Sequence, residues 1–93
     1  MLKPVVSGYK YTQMSASANV RSTKGRLGGI FVSAASAAPT ITVYDSAATG
    51  TSTKIIDTFT PVAATWYPMP FEATAGIYVV IGGTVQCTVA TSA

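Results

Sequence analysis

The sequence predicts an all-β domain, a single antiparallel β-sandwich of about seven or eight short strands. Three observations predict it. Thr, Val, Ile, Tyr and Phe recur in short runs, and Pro and Gly punctuate the runs at close intervals. Several runs alternate apolar and polar residues with a period of two, as strands do when one face meets a core. No window carries an apolar stripe of helical period. The Ala-rich stretch 33–38 is the one candidate helix, and Pro39 ends it after less than two turns, so it reads as a loop.

The strands are placed in order at about residues 5–11, 16–23, 27–34, 40–45, 54–60, 65–70, 76–81 and 85–90. Residues 1–11 serve as an arm or an edge strand of the one domain, 1–93. Gly28 and Gly29 interrupt the third strand and imply a bulge or the close approach of another backbone. In the fourth, Ile41 and Val43 face one way and Thr40 and Thr42 the other. Residues 46–53, small and polar around Gly50, form a surface hairpin loop, with Asp45 accepting backbone N–H bonds to cap it. The run from Trp66 to Phe71 is the densest aromatic cluster. Trp66 and Tyr67 cannot both point inward along a strand, so one reaches the surface or an interface. Pro68 and Pro70 cannot donate to a ladder and mark the strand as an edge or a bulged one. A three-residue hairpin at residues 82–84 would gather Ile77, Val79, Ile81, Val85, Cys87 and Val89 on one face.

The residues that are missing exclude chemistry. There is no His, and therefore no His relay, His metal ligand or His pH switch. A single cysteine permits neither an internal disulfide nor a cysteine zinc site, and Cys87 reads as a small buried hydrophobe. Three acidic side chains, Asp45, Asp57 and Glu72, are too few and too scattered for an acid–base pair or a calcium loop. Ala, Ser and Thr fill 37 of 93 positions, and nothing activates their hydroxyls. The expectation is a protein that is not an enzyme, holds no cofactor or metal and takes no small-molecule substrate. No apolar run approaches the ~18 residues of a membrane helix. Residues 1–6 lack the apolar core of a secretory signal and read as the start of a protein made in the cytoplasm.

The net charge of +3 is lopsided. Lys3, Lys10, Arg21, Lys24 and Arg26 precede the first acidic residue, Asp45. Such asymmetry suits a solvated face or an acidic protein surface better than nucleic acid, for which the cations are too few. Tyr9, Tyr11, Trp66 and Tyr67 could form the platform of a small carbohydrate-binding module, but planar polar partners for sugar hydroxyls are scarce beside them. A charge-poor all-β chain with a mean hydropathy of +0.40 favours assembly, its surplus apolar surface going into subunit contacts.

Four segments in succession carry a resemblance: Lys24-Gly25-Arg26-Leu27-Gly28-Gly29-Ile30-Phe31-Val32, Pro39-Thr40-Ile41-Thr42-Val43-Tyr44-Asp45, Lys54-Ile55-Ile56-Asp57-Thr58-Phe59-Thr60-Pro61 and Gly76-Ile77-Tyr78-Val79-Val80-Ile81-Gly82-Gly83. Over residues 20–89 the chain resembles small virion proteins of tailed bacteriophages, of the capsid decoration (cement) type. The resemblance implies a jelly-roll-like β-sandwich, commonly a homotrimer, seated on the outer capsid surface. There it would bridge neighbouring copies of the major capsid protein after synthesis in the host cytoplasm. Head-fibre, neck and tail-fibre modules share the pattern. It fixes no binding residue. The candidate capsid or subunit contacts rest on charge and exposed aromaticity alone: Lys3, Tyr9, Lys10, Tyr11, Arg21, Arg26, Trp66 and Tyr67. No nucleic acid and no membrane is expected among the partners.

Overall fold

A computed structural model describes residues 9–93. Among them the chain is all-β, with one antiparallel sheet of six strands and no helix. The strands are β1 (Lys10–Met14), β2 (Ala18–Arg21), β3 (Gly25–Tyr44), β4 (Lys54–Phe59), β5 (Thr65–Ala73) and β6 (Ile77–Ser92). β3 and β6 are long, 20 and 16 residues, and pair from Arg26 opposite Ser92 to Tyr44 opposite Tyr78. The short strands flank this pair. β1 and β2 run one after the other along the outer edge of β6, against its C-terminal and N-terminal parts. β5 and β4 do the same along β3.

The connections require the long pair to fold back. A straight 16-residue strand is about 50 Å long. Yet β2 ends opposite Ile77 at one end of β6, and three residues later β3 begins beside Ser92 at the other. Three connecting residues reach at most ~15 Å. The side chain of Arg21 and the carbonyl of Ser92 indeed both crowd Gly25. The links β1–β2 and β5–β6 are equally short. The inner faces of both halves therefore share one core of Met14, Leu27, Ile30, Val32, Ile41, Val43, Met69, Ala73, Ile77, Val79, Val85, Cys87 and Val89. Each fully buried Val, Ile or Leu contributes about 1.5–3 kcal/mol.

The fold-back has a local cause. Between the pairs Ser36–Thr84 and Thr40–Gly82, residues 37–39 of β3 stand against Gly83 alone. Ala37 and Ala38 take φ of 55° and 58°, and Gly83 takes 69°. Two expectations are corrected here. Residues 82–84 are not a hairpin, and residues 33–38 are not a free loop; both are bulged parts of long strands. The inward residues 77, 79, 81, 85, 87 and 89 keep one parity straight through residue 83. A continuous strand gathers them on one face as well as a three-residue hairpin would, and pairing with β3 satisfies more backbone groups than a turn does. The eight short strands expected become six because residues 27–34 join 40–45 and residues 76–81 join 85–90. Among the described residues the first strand is Lys10–Met14; residues 5–8 of the strand expected at 5–11 lie outside the described residues.

Residues 46–53 do form the β3–β4 hairpin loop, closed by Asp45 N–H to Thr53 carbonyl at 2.8 Å. Its cap is Ser46, whose Oγ accepts from the N–H of Ala48 and Gly50 at 3.1 and 2.9 Å. Asn19 Nδ2 donates to the carbonyls of Ser46 and Ala48 from β2. Asp45 caps a different turn. Its Oδ2 accepts from the Thr74 N–H and hydroxyl, and its Oδ1 from the N–H of Ala75 and Gly76, at the β5–β6 link. Partial burial works to raise the Asp45 pKa, but these hydrogen bonds outweigh it and lower it from 3.8 to about 2.

Two outcomes are expected. Gly83→Ala forces a Cβ into a left-handed residue against the Ala37 and Ala38 carbonyls. It should cost about 2–4 kcal/mol in urea unfolding, whereas Ala38→Gly should be neutral or stabilising. The Asp45 contribution is fully present above its unfolded pKa and lost as pH falls through about 2. Asp45→Asn should therefore cost on the order of 1–2 kcal/mol at pH 7, after allowance for solvent screening, and should blunt the loss of stability between about pH 4 and 2.

Candidate functional site

Two neighbouring rows across the outer face of one half of the sheet are aromatic and uncharged. Across one row, Gln13, Thr88, Phe31 and Trp66 stand side by side on β1, β6, β3 and β5. Across the next row stand Tyr11, Ala90, Gly29 and Pro68. Paired residues project to one face. Their neighbours Ile30, Val32, Cys87 and Val89 point the other way, into the core. Tyr9 lies beside this face. Exposure is 52% for Tyr9, 79% for Tyr11, 41% for Phe31 and 50% for Trp66. At ~200 Å² per ring these four expose roughly 400 Å² in all, spread across the four strands of the face.

The glycine pair shapes this face. The ladders on both sides of β3 shift register between Leu27 and Gly29, which keeps Leu27 and Ile30 both inward. A Cβ on Gly28 would lie 2.6 Å from Tyr9 Cε1. One on Gly29, where φ is 155°, would lie 2.5 Å from Trp66 Cη2 and 2.6 Å from the Tyr67 carbonyl. Both rings thus lie directly on bare backbone, the pairing by which aromatics cover glycine in sheets. The bulge expected at Gly28-Gly29 is present; what lies on the two glycines is chiefly the side chains of Tyr9 and Trp66, with the Tyr67 carbonyl of the paired strand the one backbone atom close to Gly29.

Trp66 and Tyr67 divide as the alternation requires. Trp66 faces out. Tyr67 turns toward the core, its ring centroid 5.1 Å from that of Phe59 and its hydroxyl accepting the Val62 N–H at 2.9 Å. β5 pairs with β3 alone and is an edge, with Pro68 and Pro70 beside a register shift. Of the other candidates, Lys10 and Arg26 are exposed; Arg26, paired with Ser92 two residues beyond Ala90, borders this face, whereas Lys10, paired with buried Thr91, alternates away from Tyr11 at the edge. Arg21 is half-buried and its Nε donates to the Lys24 carbonyl at 3.0 Å, so it braces the β2–β3 turn. Lys3 lies outside the described residues. The structure thus brings Tyr9, Tyr11 and Trp66 together, adds Phe31, and turns Tyr67 away. Phe31 escaped the sequence reading although its place between inward Ile30 and Val32 marks it as outward.

Beside Tyr9, at the Arg26 end of the face, a cleft of about 280 Å³ is lined by Tyr9, Arg26, Leu27, Pro70, Phe71 and Glu72. Arg26 and Glu72 are opposite residues of β3 and β5. Elsewhere, Lys54 Nζ lies 2.9 Å from Asp57 Oδ1 on the exposed β4 strand. Among the described residues no three His, Cys, Asp or Glu side chains group as a metal site would need. Cys87 is buried in the core, which pushes its thiol pKa up to about 11 and keeps it protonated and inert at neutral pH. Comparison with family profiles, with curated proteins and with solved structures gives no significant match.

Gly29→Ala should displace the indole of Trp66, the single tryptophan. A red shift of the intrinsic fluorescence and a loss of about 1–3 kcal/mol in unfolding are expected, with Ser33→Ala on the same strand as the near-neutral control.

Proposed function

We propose that the chain is a structural virion protein of the capsid decoration type, which docks on the outer surface of a tailed-phage head and bridges neighbouring copies of the major capsid protein. The observation that carries the reading is the wide, uncharged aromatic face of Tyr11, Phe31 and Trp66. A face of this kind is costly to leave in water, and Tyr and Trp are the residues that anchor protein interfaces. It is framed by β1 and β5, so a rigid sheet presents it. The succession of segments that resembles cement proteins points the same way. The bent sheet, with one core between its halves, suits the two layers of a jelly-roll-like sandwich.

Lys10, Lys24 and Arg26 are exposed and, with Lys3, supply the positive charge that would meet acidic capsid loops. Arg21 shapes the turn that carries Lys24 and adds its remaining guanidinium N–H groups to this charge. A homotrimer, three times the 9.5 kDa chain mass, fits an assembly that bridges capsid subunits, and light scattering of the purified protein measures it directly.

The test uses heads of the tailed phage whose genome carries this chain, stripped of it and re-exposed to the purified protein. Saturable rebinding is expected. Tyr11→Ser combined with Trp66→Ser should weaken it at least ~10-fold without unfolding the chain. Replacing Lys3, Lys10, Lys24 and Arg26 together with Gln should weaken it less and should flatten its dependence on salt. Full rebinding by the aromatic double variant, or absence of the chain from purified particles, overturns the reading.

A further inference from the structure

We infer that the cleft between β3 and β5 is a saccharide site, which takes one sugar unit of a neutral glycan. The inference does not rest on head docking, although the cleft borders the aromatic face and shares Tyr9 and Arg26 with the docking surface. Its wall chemistry argues the ligand class. Tyr9 and Phe71 bring two half-exposed rings, 52% and 47%, to a space of about 280 Å³. That is the lower end of ligand-site volumes and matches a single ring-sized unit better than a chain. Arg26 and Glu72 stand opposite each other on adjacent strands. Among the described residues the one ion pair is Lys54–Asp57, so Arg26 and Glu72 are held near each other without closing a salt bridge.

The pairing of charges selects the ligand. A cation attracted by Glu72 and the two rings would be repelled by Arg26, and an anion attracted by Arg26 would be repelled by Glu72. A neutral group that both donates and accepts hydrogen bonds satisfies both. Vicinal sugar hydroxyls do this, donating to the carboxylate and accepting from the guanidinium, while the C–H face of the sugar packs on an aromatic ring. The sequence reading counted planar polar partners as scarce beside the aromatics. β3–β5 pairing supplies two of them, from positions 46 residues apart in the chain.

The purified chain is titrated with the methyl glycosides of glucose, galactose, mannose and N-acetylglucosamine and read by saturation-transfer NMR. At least one should bind with a millimolar dissociation constant. Glu72→Ala, an exposed substitution, and Tyr9→Ser should each weaken it about 10-fold or more. Trp66→Ser, outside the cleft, should leave it unchanged, which separates this site from the docking face. Three results overturn the inference: none of the four glycosides binds, binding survives both cleft variants, or sodium phosphate or guanidinium ion occupies the cleft in preference to every sugar.

Discussion

The pairing of β3 with β6 is the constraint on which the rest of the molecule depends. Each of the other four strands hydrogen-bonds to one of these two, and among the described residues none forms a ladder without them. The pair also bends where residues 37–39 face Gly83, and the bend lets one pair of strands supply both walls of a single core. Two alanines accept a left-handed backbone there, at a cost of about 1–2 kcal/mol each. Burying even a few of the inward Val and Ile side chains repays that cost.

Much of this was legible in the sequence, and the failures share one origin. Strand identity, the inward residues of β6, the 46–53 loop, the bulge at Gly28-Gly29 and the opposed directions of Trp66 and Tyr67 all follow from a period-two pattern and local turn chemistry. What local pattern cannot carry is length. Gly82-Gly83 between two apolar runs looks the same whether the chain reverses or bends, because in both cases the alternate residues meet one face. The answer depends on whether another strand lies alongside, and that strand, β3, is more than 40 residues upstream at this point. The same blindness misplaced the partner of Asp45. Its carboxylate holds the link at residues 74–76, which folding brings near and sequence does not.

The candidate site was half legible for a related reason. Tyr9, Tyr11 and Trp66 stood out as aromatics, but their company depends on register. Phe31 joins them because β3 lies between β6 and β5, and the two glycines matter because rings rest on them. Charge was the less informative signal. Arg21 belongs to the basic cluster in the sequence, and in the fold its Nε also braces the β2–β3 turn through the Lys24 carbonyl. Arg26 gains significance from Glu72, a residue the linear charge pattern leaves isolated.

The position of β6 as the last of the six strands has a consequence for how the chain reaches this state. β1, β2 and β3 are all made before β6, and all three need it as a hydrogen-bonding partner. Pairs such as Arg26 with Ser92 close loops of most of the chain length, and the entropy of that closure is spent before the contacts reward it. Until the residues of β6 have been synthesised, β1 and β2 have no partner strand and β3, though it can pair with β4 and β5, keeps one open edge and an uncovered apolar side. A growing chain thus passes through a long interval in which it can associate with other copies but cannot fold. Its low charge gives little repulsion in that interval.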